Sequence, residues 1–556
     1  MTLNLMPSSN QAQYSFLNLF KNNSLISKKL LLIFIGAVYP MGFSPIDFWP
    51  FTFLSIMLLI NELIVCCDNQ QLEDQNADAG KKGQLSLFQT AFYWSFGAFG
   101  VGVSWVYVSI HEFGHVPIIG AIAISLLLVI TLSIIKASGF YLVGKMSKYL
   151  GNHFIVLIVP FLWVIFEFVQ TNIFSGFPWL FAGYSQIDGP LWMLATWFGV
   201  YGVSWFMLAI ASCLVVLIRF YLVTKYFGKN LFYKELLFNP ITVVLVLFIS
   251  IPVIVTFTPS KQNIPTKSSI DVALVQPNIA QEKKWDRRFF SQILNVLYQQ
   301  SEEHWNADLL VWPEGAIPAY KHQVNDIIDD LNQRSKTSQT DLLLGLPVYQ
   351  AEQKISYAAF LSLGEQQHTY HKQVLVPFGE YVPLGELLRG LIRFLDLPMS
   401  SFSPAKTKQQ PMQFDDYQVV PAICYEITYP NIVHDLVTST MPQKPVLLVT
   451  VSNDAWFGDS FGPYQHMQMA RMRALELGIP LVRSTNDGIS AIVDARGKIV
   501  SKLERFTQAT LRAEVPLNNY STLYRKYGLL GVYLILSMSS IIFMLALVIA
   551  RIKDKK

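Results

Sequence analysis

A chain of 556 residues exceeds what one hydrophobic core usually organises, so at least two structural units are expected. Apolar residues make up 52% and charged residues 14%, with a mean hydropathy of +0.36, which excludes a wholly water-soluble chain of ordinary composition and points to membrane helices. The net charge of +4 is too small for this length to argue for a nucleic-acid partner, which would call for a concentrated basic patch.

In chain order, apolar stretches long enough to cross about 30 Å of hydrocarbon lie near residues 30–48, 50–66, 88–109, 116–138, 153–169, 190–218, 240–257 and 527–550, giving eight predicted spans. Pro40 and Pro45 interrupt the first; the last, from Tyr527 to Ala550, carries no charge. Lys21, Lys28 and Lys29, then Lys81 and Lys82, Lys136, Lys145 and Lys148, Arg219, Lys225, Lys229 and Lys234, and the tail from Arg551 to Lys556 all fall on one side of this arrangement. The alternate short connections lack Lys and Arg, so the bias predicts cytoplasmic termini and an outer location for everything between spans seven and eight. Arg525 and Lys526 run against the bias only beside a long domain, where it has little force. No small-residue cleavage site follows the first span, which is therefore expected to stay as an uncleaved anchor.

The texture changes after span seven. Asp271 to Gln276, Asp308 to Trp312, Asp341 to Gly345, Val419 to Ile423 and Val446 to Val451 read as short buried strands, alternating with helix-like stretches at 284–303 and 463–478. The expected division is a transmembrane domain over 1–262 with about seven helices, an α/β domain over 268–518, and a C-terminal transmembrane helix with a basic tail over 519–556. Of the four cysteines, Cys66, Cys67 and Cys213 lie in or beside apolar runs, and Cys424 stands alone in the α/β domain. A solitary thiol in an outer compartment reads as a reactive group, and no spacing of Cys or His calls for a metal.

Three strand ends hold what an acyl transfer needs. Glu314 follows Leu309-Leu-Val-Trp-Pro, Lys372 lies in the run from His371 to Tyr381, and Cys424 ends the strand leading into Cys424-Tyr-Glu-Ile427. A thiol attacks carbonyl carbon as thiolate and needs a base, which Glu314 supplies. The resulting oxyanion needs positive charge or N–H donors, which Lys372 and the backbone N–H of Tyr425 supply. Spacing alone leaves open that Cys424 is an inert small hydrophobe and Glu314 a solvated loop carboxylate.

The motifs Trp312-Pro-Glu-Gly-Ala316, His371-Lys-Gln-Val-Leu-Val-Pro-Phe-Gly-Glu-Tyr-Val-Pro383, Cys424-Tyr-Glu426 and Ser452-Asn-Asp-Ala-Trp-Phe-Gly458 resemble the nitrilase superfamily, whose fold is an αββα sandwich. With seven spans before and one after, the chain resembles the membrane-embedded apolipoprotein N-acyltransferase family of that superfamily over nearly its whole length. Gly176-Phe-Pro-Trp-Leu180, the run from Gly183 to Gly189 and the run from Gln465 to Glu476 share in the likeness. The resemblance implies Glu314 as general base, Lys372 as oxyanion stabiliser and Cys424 as nucleophile. It implies that Glu380 orients and tunes Lys372, that Tyr425 and Glu426 support the nucleophile, and that Trp285 and Phe457 line a lipid entrance; each aromatic is equally compatible with ordinary packing. The chain departs from the family before Gly176, where Gln170-Thr-Asn172 replaces a basic residue.

The implied reaction passes an acyl chain from a membrane phospholipid to Cys424 and then to the α-amine of a diacylglyceryl-cysteine at an apolipoprotein N-terminus. It needs no cofactor and takes place at the periplasmic side of the bacterial inner membrane, in a protein expected to be a monomer. The rivals are a membrane-tethered amidase that passes the acyl group to water and a transporter with an outer sensory domain. The second finds few intramembrane ionisable groups to work with, chiefly Glu62 and Glu167. Leu387, Leu388, Leu391, Ile392, Phe394 and Leu395 recur at near-helical spacing, so 387–399 is expected either as an interfacial lid or as a helix packed on the domain's own core.

Overall fold

The structure is a computed structural model that describes residues 24–75, 85–150, 154–226, 239–258, 262–263, 269–377, 379–381, 402–517 and 519–554. The expected segment 387–399 lies outside the described residues. Contacts divide the chain into two compact units. The first comprises Met1–Ser104, Ala123–Thr258 and Leu529–Lys556, and the second Trp105–Ile122 and Pro259–Gly528.

The first unit is helical. Its helices are α1 (Leu25–Val38), α2 (Trp49–Gln75), α3 (Leu87–Gly102), α4 (Ile118–Leu150, entering from the second unit), α5 (Ile155–Asn172), α6 (Ala195–Tyr226), α7 (Pro240–Phe257) and, later in the chain, α12 (Leu530–Asp554). Among the described residues, seven helices are long and apolar enough to cross a membrane, and eight if the bent pair Leu87–Gly102 and Trp105–Phe113 forms one span. Their starts follow local chemistry. Ser86 and Gln89 form a reciprocal capping box on α3, and the Asn239 side chain accepts the Ile241 N–H at the head of α7, with Pro240 in the first turn. Pro40 ends α1, which continues only as a 3-10 turn over Tyr39–Gly42. Helices α1 and α3 approach through glycine: a Cβ on Gly36 would overlap the Trp94 carbonyl, and one on Gly97 the Ile33 carbonyl.

Span three departs from the straight reading of 88–109. The chain breaks after Gly102 and bends by 53°. Beyond the break, Trp105 stacks edge-on against Phe457 at 4.8 Å, Phe113 lies 6.1 Å from Trp456, and the Ser109 hydroxyl donates to the Trp456 carbonyl at 2.7 Å. Apolar side chains on both sides of the bend keep the hydropathy continuous, and those beyond it pack on Trp456 and Phe457. Glu167 has a fixed structural use: its carboxylate accepts the Trp163 indole N–H at 2.7 Å and the Ala182 N–H at 3.0 Å. Gln170, at the departure from the family pattern, donates to the carbonyls of Phe177 and Trp179, both at 2.9 Å.

The second unit is an α/β sandwich of two six-stranded sheets. Its strands are β1 (Ser269–Gln276), β2 (Leu309–Val311), β3 (Asp341–Gln350), β4 (Ile355–Leu363), β5 (His368–His371), β6 (Met412–Gln413), β7 (Gln418–Ile423), β8 (Val446–Ser452), β9 (Leu481–Thr485), β10 (Ala491–Val493), β11 (Ile499–Lys502) and β12 (Ala509–Pro516). One sheet runs β12-β1-β2-β3-β4-β5 and the other β11-β10-β9-β8-β7-β6. In each sheet the inner pairs β1/β2/β3 and β7/β8/β9 are parallel and the flanking pairs antiparallel. The central parallel strands β2, β7 and β8 are buried along their length, as apolar runs without alternation require. Helices α8 (Phe290–Ser301) and α9 (Asn325–Ser338) cover the first sheet, with Ile293, Leu297, Ile328 and Leu331 in one core with Leu310, Leu342 and Leu344. Helix α8 starts later than the expected 284, because the Asp286 carboxylate accepts the Arg288 N–H and opens a 3-10 turn first. Helices α10 (Pro430–Thr438) and α11 (Gly462–Leu477) belong to the second sheet. Almost every residue of α11 is buried, including Gln465, His466, Arg473 and Glu476.

Candidate active site

Cys424 closes β7 in the left-handed region, with φ +53°, and opens a 3-10 turn over Cys424–Thr428. A non-glycine residue holds that conformation only where its surroundings fix it. Two buried groups do so. The Glu426 carboxylate accepts the Ile423 N–H at 2.7 Å, the Gln373 N–H at 2.5 Å and the Tyr370 hydroxyl at 3.1 Å, tying the turn to the Lys372 segment. Burial, against these hydrogen bonds, pushes Glu426 up to about 7. From the other side the His466 ring meets the Cys424 carbonyl at 3.0 Å.

Glu314 follows β2 at a point where the chain passes so close to β3 that a Cβ on Gly345 would sit 2.8 Å from the Glu314 Cα. Its Oε1 accepts the Lys372 ammonium at 3.1 Å and its Oε2 the Asn453 N–H at 2.9 Å. Lys372, 1% exposed, also donates to Glu380 Oε1 at 2.6 Å, while Glu380 Oε2 accepts the Val376 N–H at 2.8 Å. The Lys372 backbone is pinned on both sides, by Ala358 O at 2.9 Å and Ala405 N at 2.8 Å. Burial alone would lower Lys372, but Glu314 and Glu380 overrule it and hold the ammonium well above its usual value. Burial raises Glu380 despite its contact with Lys372. Burial and then Glu314 push the Cys424 thiol up, so the resting sulfur is a neutral thiol beside a permanent cation.

The structure thus brings Glu314, Lys372, Glu380, Cys424 and Glu426 into one cluster. Tyr425 is buried next to it, edge-on to Tyr429 at 5.3 Å. Trp285 and Phe457 lie in different places. Trp285 lines a cavity of about 480 Å³ with Lys284, Arg287, Phe290, Tyr320 and Phe402, whereas Phe457 packs on Trp105 and, at 5.9 Å, on His466. None of Glu314, Lys372 and Cys424 lines that cavity, so it neighbours the cluster rather than containing it.

Sequence reasoning missed a second buried lysine and a second charged cluster. Lys284, 3% exposed, donates to the Glu314 backbone carbonyl at 2.9 Å, and burial brings it down to about 8 against the pull of Glu314, Asp487 and Cys424. Behind the thiol, the Ser452 hydroxyl lies 3.3 Å from Cys424 Sγ and 2.6 Å from Asp454 Oδ1. Asp454 takes Arg483 at 2.9 Å, and Arg483 donates to His466 Nδ1 at 3.1 Å. The motifs from Ser452 to Gly458 and from Gln465 to Glu476 hold most of these residues but do not disclose which of them meet. Chemically, a neutral thiol, a carboxylate within reach of the same ammonium, and donors around a strained turn can form and break an acyl thioester.

The carbon-nitrogen hydrolase family model matches residues 271–525, and the model of the apolipoprotein N-acyltransferase N-terminal domain matches 35–214. The chain is similar to a Vibrio parahaemolyticus protein named apolipoprotein N-acyltransferase, 34% identical over 539 residues, covering 95% of this chain and 98% of that protein. Proteins of the same name from Shewanella oneidensis and Pseudomonas aeruginosa are each 36% identical, over 529 and 523 residues, covering 91% of this chain and 94% of theirs.

Proposed function

Since the chain belongs to the apolipoprotein N-acyltransferase family and is a membrane-embedded acyltransferase, we propose that it transfers an acyl chain from a phospholipid to the N-terminal diacylglyceryl-cysteine of apolipoproteins through a thioester on Cys424. The Cys424 proton passes to Glu314 as sulfur adds to the ester carbonyl carbon. The oxyanion faces the Lys372 ammonium and the Tyr425 N–H. Collapse expels the lysophospholipid alkoxide, which takes the proton from Glu314. The lipoprotein α-amine then adds to the thioester, gives its proton to Glu314, and leaves as amide while the proton returns to the Cys424 sulfur. Glu380 shares Lys372 with Glu314 and keeps the ammonium charged; Glu426 holds the turn that presents the sulfur.

The contact of Lys372 with both Glu314 and Glu380, beside a thiol in a left-handed turn, carries this reading. Water as acceptor would make the same cluster an amidase, but a chain with seven or eight apolar helices is matched to lipid substrates rather than to soluble amides. On incubation with phospholipid and no acceptor, wild-type protein gains one acyl mass, removable by hydroxylamine, and Cys424→Ala gains none. An adduct that survives in Cys424→Ala refutes the assignment of the nucleophile.

The Lys and Arg bias supports an inner-membrane protein with cytoplasmic termini and the second unit on the periplasmic side. In a background without native cysteines, Lys354→Cys should react with an impermeant maleimide on intact spheroplasts, and Tyr149→Cys only after permeabilisation. Both positions are exposed, so the reverse pattern overturns the orientation.

A further inference from the structure

The carbonyl of Cys424 and the N–H of Tyr425 belong to one peptide unit, and that peptide is trans, since the cis bond among the described residues is Ser44–Pro45. In a planar trans peptide the C=O and N–H point in opposite directions, so whatever holds one aims the other. His466 holds the carbonyl: a carbonyl oxygen only accepts, so at 3.0 Å the ring Nε2–H donates to it. Arg483 has no lone pair, so at 3.1 Å its guanidinium donates to Nδ1, which fixes the neutral ring with its proton on Nε2. Arg483 is itself held by the Asp454 carboxylate at 3.0 and 2.9 Å, and Arg483, Asp454 and His466 are each at most 1% exposed.

We infer that His466 is a positioning residue of the oxyanion site: by gripping the Cys424 carbonyl it turns the shared peptide so that the Tyr425 N–H faces the reacting carbonyl oxygen. The assignment rests on the proposed roles of Cys424 and Tyr425. It gives Arg483 and Asp454 a purpose too, which is to hold the ring in the tautomer whose proton faces the peptide. The left-handed φ of Cys424 makes such a grip necessary, because the turn has no preferred local geometry to fall back on.

The test separates oxyanion stabilisation from thiol reactivity. Alkylation by iodoacetamide displaces iodide at a saturated carbon and forms no oxyanion, whereas thioester formation from phosphatidylethanolamine in detergent micelles does. In the full-length protein His466→Phe keeps a ring against Phe457 but loses the donor, and His466→Gln restores an N–H at similar reach. Thioester formation should slow by roughly 10- to 100-fold in His466→Phe and by less than about threefold in His466→Gln, with the rate of Cys424 alkylation unchanged in both. Unchanged thioester formation in His466→Phe overturns the inference. So does an equal loss of alkylation, or a glutamine variant no better than the phenylalanine one. If the wild-type thioester forms elsewhere than Cys424, the nucleophile assignment fails, and it fails independently of any His466 result.

Discussion

Two buried charged clusters flank Cys424, and they are built from different cations. In front, one lysine ammonium is shared by Glu314 and Glu380, and burial raises the Glu380 carboxyl. Behind, Arg483 meets Asp454 and His466; burial would raise Asp454, but the Arg483 guanidinium overrules it and holds its carboxyl well below the usual range. A carboxyl raised by burial beside a permanently charged ammonium can take up and give back a proton, whereas a guanidinium with a fixed planar fork keeps its carboxylate charged. The front cluster is equipped for proton transfer and charge stabilisation. The rear one can only keep atoms in place.

The largest expected effect breaks the front cluster. Lys372→Met keeps the side-chain length without the charge and should slow thioester formation roughly 10³-fold, about 4 kcal/mol of transition-state stabilisation. Its melting temperature should fall little, because Glu314 and Glu380 can each take up a proton. Retention of more than a tenth of the rate in rapid-quench intact-mass measurements would mean that Lys372 is a structural cation. Asp454→Asn should do the opposite. Arg483 cannot shed its charge, so the folded state should lose about 3 kcal/mol, seen as a lower melting temperature, while Cys424 alkylation per folded molecule stays near wild type. A variant that melts normally but alkylates slowly would erase the distinction between the clusters.

The smallest effect concerns the clamp between them. Glu426 is raised in the folded protein, so the stability it contributes is full below its unfolded value of 4.5 and is lost as pH rises through about 7. Glu426→Gln removes that titration. Between pH 4.5 and 7 the wild type should lose on the order of 2 kcal/mol more than the variant, with Asp487, pushed by burial up to about 7 as well, contributing equally to both. Melting curves with parallel pH dependence would show that Glu426 is already charged.

The front cluster was legible in the sequence and the rear one was not, for a physical reason. Glu314, Lys372 and Cys424 each terminate or follow an apolar strand, and strand ends are where a sheet presents side chains for chemistry. Lys284 sits beside Lys283, yet one is buried and the other exposed, and nothing in two adjacent lysines says which. His466 and Arg483 act through a peptide plane and a ring tautomer, which exist only once α11 and β9 are brought to the end of β7. The α/β character followed from the short apolar strands, and the sandwich only from the resemblance that the motifs carry. The long-range antiparallel pairing of β12 with β1, joining residues such as Ala509 and Gln276, had no local signal to announce it.

The bend after Gly102 has a consequence for where this enzyme can be cut. The residues that brace the Asn453–Gly458 loop, Trp105, Ser109 and Phe113, stand about 150 positions or more ahead of the rest of the second unit, yet that loop supplies the N–H that holds Glu314. The second unit is therefore discontinuous along the chain. A clone beginning after α7 would leave Trp456 and Phe457 without their aromatic partners and bare a sticky face where the loop should be steadied. Such a fragment would be incomplete however faithfully its two sheets assembled, and a working excision would have to splice the segment Trp105–Ile122 back in.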